Sequence, residues 1–121
     1  MGEFKDLIER YLAAWNEQVP SERRRLVEEV FAADAKYVDP LGVVEGRDAI
    51  DAMIGAVQAR FPGFVFSLAG PVDAHHDQGR FTWELAPVGV EAPIVGFDVA
   101  VVDGDGRVRD VFGFLDKVPS A

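Results

Sequence analysis

The hydrophobic period of the chain changes at Pro62-Gly63, and this change limits the possible folds more than any other feature. Before it, apolar residues recur at helical spacing. Phe4, Leu7, Ile8, Tyr11, Leu12 and Trp15 form one stripe, and Leu26, Val27, Val30 and Phe31 a second. Ile50, Met53, Ile54, Val57 and Phe61 form a third, which Pro62-Gly63 ends. After it, the runs 64–69, 72–77, 80–87, 94–102 and 107–116 read as strands separated by Gly, Pro and Asp. Helices followed by strands predict an α+β fold, a curved antiparallel sheet with three N-terminal helices over its concave face. Gly70, Pro71 and Gly96 inside strand runs predict bulges or bends. A bent sheet covered by helices encloses a pocket.

The strand Ile94–Val102 is the most apolar run, long enough to predict cover on both faces, and it carries one acid, Asp98, at its centre. Asp103-Gly104-Asp105-Gly106 then turns the chain into the last strand, a β-hairpin pattern. By alternation Asp98 shares a face with Ile94, Gly96, Ala100 and Val102, whose small members leave room beside it. An ionised carboxylate there is costly unless paired, hydrogen-bonded or protonated. Asp98 is therefore either a structural acid held by Arg or backbone N–H groups, or a pocket carboxyl kept neutral by desolvation.

Other boundaries follow from capping and turn chemistry. The first helix ends near Asn16. Ser21 is a candidate N-cap for the second, which closes at Ala32-Ala33-Asp34. Arg23-Arg24-Arg25 reads as a solvated helix face. A short strand, 36–39, places Tyr37 and Asp39 on one side, and Pro40 keeps Asp39 extended. Leu41–Glu45 reads as a loop and Lys117–Ala121 as a tail.

With 121 residues the chain makes one domain, 1–121, with a real core. Its formal net charge of −9 argues against nucleic acid and anionic membranes as partners. The absence of cysteine removes thiol catalysis and thiolate metal sites. The N-terminus lacks the pattern of a signal peptide and no run reaches transmembrane length, so the expected location is the cytoplasm.

Asp39 is either a turn-stabilising acid or a general base at a pocket rim. Tyr11 and Trp15 are either core aromatics or cavity-lining ones. Tyr37, Trp83, Phe112 and Phe114 are candidate pocket walls. Of the adjacent His75 and His76 at most one can enter a pocket, and His75 is the candidate. No third ligand lies at a useful spacing, so no metal is expected. Phosphate-loop, dinucleotide and nucleophile-elbow patterns are absent.

The segment Ile8-Glu9-Arg10-Tyr11-Leu12-Ala13-Ala14-Trp15-Asn16 resembles the nuclear transport factor 2-like superfamily, including its SnoaL-like members. So do Phe31–Ala35 with Val38-Asp39-Pro40, Gly46–Ile50, and the ending from Asp98 through Asp103–Val108 to Phe114-Leu115-Asp116. The resemblance spans nearly the whole chain and implies a cone-shaped fold with a deep pocket and a homodimer. Within the superfamily the pattern is partly similar to ketosteroid isomerase. That similarity implies Asp39 as general base, with Asp98 and Tyr11 as donors to a developing oxyanion. The Arg-x-Asp of limonene-epoxide-hydrolase-like members is not reproduced, since Thr82 lies two after Arg80. The resulting expectation is a cofactor-independent isomerase acting beside a carbonyl on an apolar small molecule. The alternatives are a non-catalytic binder of such a molecule and a SnoaL-like polyketide cyclase.

Overall fold

The computed structural model describes residues 2–119. In chain order it has helices α1 (Gly2–Asn16) and α2 (Pro20–Val30), strands β1 (Phe31–Asp39) and β2 (Gly42–Glu45), and helix α3 (Arg47–Arg60). Strands β3 (Phe64–Leu68), β4 (Asp73–His75), β5 (Gln78–Pro87), β6 (Ile94–Val102) and β7 (Val108–Lys117) follow. The seven strands form one curved sheet in the order β2-β1-β7-β6-β5-β3, with β4 also pairing with β5. Three helices on one face of this sheet make the expected α+β cone. The sheet is mixed, because β1 runs parallel to β7 while the other pairs are antiparallel.

The helices follow their stripes, with Leu7, Ile8, Tyr11, Leu12 and Trp15 of α1 buried, as are Val27 and Val30 of α2 and Ile50 and Ile54 of α3. α2 starts differently from the capping expectation. Val19 takes the N-cap position with no side-chain bond and Pro20 follows at the first turn, so Ser21 is not the cap. Proline needs no N–H at the start of a helix and its fixed φ suits it. α2 also ends early. At Phe31 the backbone is already extended, and Phe31–Ala35, helical by composition, is drawn into β1 by pairing Phe31 with Val108. The expected loop at Leu41–Glu45 contains β2, which closes a hairpin on β1. The expected tail begins as strand, because β7 runs through Lys117; residues 120–121 lie outside the described residues.

Arg23 is not on a solvated face. Its guanidinium bonds Asp51 Oδ1 at 2.9 Å and Gln58 Oε1 at 3.1 Å, tying α2 to α3. Gln58 in turn donates to the carbonyls of Trp15 and Glu17, at 2.8 Å each. The end of α1 is further held by Asn16, whose amide exchanges two 2.8 Å bonds with the backbone of Phe66. These bonds satisfy groups that a helix end leaves open and fix the height of Trp15 over the sheet. Arg24 and Arg25 form only exposed ion pairs, which contribute little.

Strand β6 alternates as expected, but only one of its faces is fully covered. Ile94, Gly96, Asp98 and Ala100 are buried, and Val95, Phe97, Val99 and Val101 are half-buried on the outer face. Strand β7 departs from simple alternation. Val102 pairs with Val108 but Val101 pairs with Asp110, so one residue is extra. The bulge moves the inward set from Val108 to Val111 and Gly113, and turns Phe112 and Phe114 outward, where they are 43% and 57% exposed.

Candidate functional site

Asp98 faces inward from the middle of the sheet and is 2% exposed. Its cross-strand partners are Phe81 on β5 and Gly113 on β7. Tyr11 on α1 donates its hydroxyl proton to Asp98 Oδ2 at 3.1 Å. Tyr11 is itself packed between Phe31 and Phe81, with both ring centroids at 5.7 Å, so the hydroxyl is held in place by core packing. Trp15, one helical turn on, sits 5.1 Å from Phe66 and 5.9 Å from Tyr37. A Cβ on Gly96 would come within 2.0 Å of the Trp83 indole. The room foreseen beside Asp98 at Gly96 is thus filled by Trp83, and the bareness of Gly96 is what admits it.

Gly113 does the complementary job. A Cβ there would lie 2.9 Å from Asp98 Oδ1 and 3.3 Å from the Cβ of Asp39. The Cβ of Asp39, at the end of β1, and Asp98 Oδ1 therefore flank Gly113, with no side chain between them. Asp39 also holds its turn: Oδ1 accepts from the amides of Leu41 at 2.8 Å and Gly42 at 3.2 Å. The turn-stabilising role and a place beside Asp98 are both present, since both amide bonds fall on one oxygen.

Tyr11, Asp39 and Asp98 line one cavity of about 340 Å³, together with Trp15, Tyr37 and Trp83. The size falls near the lower end of small-molecule sites. Apart from the two carboxyls and the two hydroxyls the walls are mostly aromatic and aliphatic, with Phe66, Leu85, Ile94 and Leu115 among them. Burial pushes the Asp98 carboxyl up from the ordinary 3.8 to about 6. The indole of Trp83 and the hydroxyl of Tyr11 oppose that rise, and the charge of Asp39 adds to it. Asp98 Oδ1 is buried without a hydrogen-bond partner, as is Trp15 Nε1; the Trp83 indole lies near the carboxyl without closing a bond of good geometry to Oδ1. Burial raises Tyr11 well above its ordinary value, and the charge of Asp98 adds to this, so Tyr11 remains a donor. Tyr37 is raised by the same causes, with Asp39 contributing.

Three expected pocket residues lie elsewhere. Phe112 and Phe114 are on the outer face, because of the β7 bulge. His75 ends β4 at the sheet edge and is exposed, and His76 after it, at φ 57°, is exposed too. The tight turn His76-Asp77 between β4 and β5 leaves both rings exposed, so neither histidine enters the cavity. Among the described residues no group of three or more His, Cys, Asp or Glu side chains could hold a metal ion. The rim residues Leu41, Arg60, Val118 and Pro119 escaped sequence reading. They lie at element ends, where periodicity carries no signal.

A cone of three helices and a curved sheet, with an apolar cavity lined by two carboxyls, defines a class of small-molecule-pocket domains. The model of the SnoaL-like domain family matches residues 8–111, and the chain belongs to that family. A solved SnoaL-like protein from Agrobacterium tumefaciens, provisionally named an isomerase, is 41% identical. The match covers 96% of this chain and 99% of that one, with a TM-score of 0.91. A protein from Sinorhizobium meliloti provisionally named a polyketide cyclase is 18% identical, with a TM-score of 0.70 over 89% of this chain and 93% of that one. A de novo designed protein with a curved β-sheet reaches 0.73 at 11% identity, over 95% and 86% of the two chains. The last two show the fold alone, and a designed cone is a reminder that fold does not carry function. No functionally curated protein matches the chain. No helix among the described residues is long and apolar enough to cross a membrane.

Proposed function

We propose that the chain is a cofactor-independent isomerase-type enzyme that moves a proton on the carbon beside a carbonyl of a small apolar substrate, in the manner of ketosteroid isomerase. One observation carries this reading: Asp39 and Asp98, from distant elements, converge over Gly113 inside one apolar cavity. The substrate carbonyl accepts a hydrogen bond from protonated Asp98 through Oδ1, the oxygen left without a partner. A carboxylic acid kept neutral by an apolar site serves ketosteroid isomerase in the same way. Asp39, tied to its turn through Oδ1, uses Oδ2 to take the α-proton. The C–H electron pair moves into the enolate, whose oxygen Asp98 stabilises. Asp39 then returns the proton at another carbon of the conjugated system, leaving an isomer and the starting enzyme. Tyr11, expected as a second oxyanion donor, has its proton committed to Asp98 Oδ2 and acts here as a positioning residue.

The test is deuterium exchange at the α-methylene of propiophenone in D2O, followed by NMR. Exchange should exceed the buffer background, and kcat/KM should fall as pH rises through about 6, where Asp98 loses its proton. Background-level exchange on both sides of that pH would refute the reading.

The same proposal includes a homodimer in the cytoplasm. Phe97 pairs with Phe114 and Val99 with Phe112 across the outer face of β6 and β7, so apolar side chains stand together on the uncovered side of the sheet. A Phe112→Asp/Phe114→Asp double variant should sediment as a monomer where the parent sediments as a dimer. A monomeric parent would rule the dimer out.

A further inference from the structure

The polar ends of the cavity are of opposite kinds. Asp98 is at its floor. At the mouth, marked by Leu41, which is 84% exposed, and by exposed Val118, stands Arg60 in the last turn of α3. Among the described residues Arg60 is the one cationic residue lining the cavity. Its guanidinium lies 5.9 Å from the ring centroid of Phe61, another lining residue. Among the described residues it takes part in no ion pair, which it shares with Lys5, Arg10, Lys36, Arg47 and Arg107; unlike those five it lines the cavity.

We infer that Arg60 is a specificity-determining residue, and that the substrate carries an anionic group, a carboxylate, at the end opposite its reacting carbonyl. The inference rests on the isomerase reading for the orientation of the carbonyl toward Asp98. Without Arg60 an anionic ligand would be disfavoured, because the protein is strongly acidic and Asp39 sits in the same cavity. A cation at the rim reverses that sign for a ligand long enough to span floor and mouth. The planar guanidinium on an aromatic ring is also a suitable carboxylate clamp. A structural alternative is that Arg60 only complements the C-terminal end of α3. That role would not distinguish one ligand charge from another.

Two probes separate these cases: 4-oxo-4-phenylbutanoate, an aryl ketone with a terminal carboxylate, and its methyl ester. Binding is read by quenching of Trp15 and Trp83, which both line the cavity. The parent protein should bind the acid about three- to fivefold tighter than the ester, the range of a solvent-accessible ion pair. Arg60→Gln should lose that preference with ester affinity unchanged, and Arg60→Lys should retain part of it. Equal binding of acid and ester by the parent would overturn the inference, as would an Arg60→Gln variant that weakens both alike. If neither probe binds, the cavity reading falls and this one with it. An acid preference without α-deuterium exchange would instead retire the isomerase reading and leave the Arg60 assignment standing.

Discussion

An Asp39→Asn variant is expected to exchange the α-protons of a bound ketone about 10²–10⁴-fold more slowly than the parent, the usual worth of a positioned general base. Its thermal midpoint should stay within a few degrees of the parent's. Asparagine has the same shape, and its side-chain oxygen can still accept from the amides of Leu41 and Gly42. The bond pattern that holds the turn therefore survives while the basic oxygen is lost. Asp39→Ala removes both, and should add about 1 kcal/mol of destabilisation from the two amides left to water. The contrast separates catalysis from turn stability, the two roles that the position carries. The measurements are the NMR exchange rate at saturating ketone and thermal unfolding by circular dichroism. Exchange by Asp39→Asn within twofold of the parent would remove Asp39 from the mechanism.

Asp98→Asn should make the protein more stable above pH 6, and by a large margin. Asp98 binds its proton with a pKa of about 6 in the folded protein and 3.8 when unfolded. Below the unfolded value both states are protonated and the stabilisation from proton uptake is complete. As pH rises the unfolded chain ionises first, and stability is lost until the folded group has also ionised, just past 6. A difference of about two units corresponds to about 3 kcal/mol, out of a total of about 5–15 kcal/mol for a domain of this size. Asparagine carries no charge to desolvate, and it can still accept from Tyr11. Urea unfolding at a series of pH values should show parent and variant alike near pH 3.8 and diverging until about pH 6. A variant no more stable than the parent at pH 8 would mean that the buried carboxylate is not under strain. Such a gain fits a site residue kept for chemistry at a cost to the fold.

The strain follows from how the site is assembled. Trp83 covers the carboxyl by lying over Gly96, and Asp39 approaches it over Gly113. Two glycines on neighbouring strands thus shape the cavity, one by admitting an indole and the other by keeping two acids unseparated. Gly96 is a bend signal in the sequence, and β6 does shift register against β7 between Val95 and Gly96. Gly113 carries no signal of its own, since its effect depends on which residue faces it across the ladder.

Much of the site is legible in the sequence because its residues belong to strongly periodic elements. Tyr11 and Trp15 fall on the apolar stripe of α1, and Asp98 stands on the small-residue face of β6. Local stereochemistry alone determines these directions. Asp39 is legible through the restriction imposed by Pro40. Expectation and structure part where a distant contact overrules local pattern. The alanines after Phe31 favour helix, yet they are extended in β1, between its pairings with β7 at Phe31 and Lys36. Even-numbered residues of β7 should face inward with Val108, yet one extra residue before Val111 turns Phe112 and Phe114 out. His75 reads as part of a wall that its edge strand does not reach. Arg23 reads as surface because nothing nearby in sequence shows that Asp51 and Gln58 will meet it.

By itself the sequence determined the three helical stripes, the strand runs and the inward direction of Tyr11 and Asp98, because backbone geometry repeats every 3.6 or every two residues whatever the surroundings. Only the tertiary structure decided that Asp39 meets Asp98 over Gly113, that Trp83 fills the space above Gly96, and that Arg60 stands at the mouth. Those placements depend on register shifts and on the packing of helix ends against a curved sheet, and no short-range period encodes them.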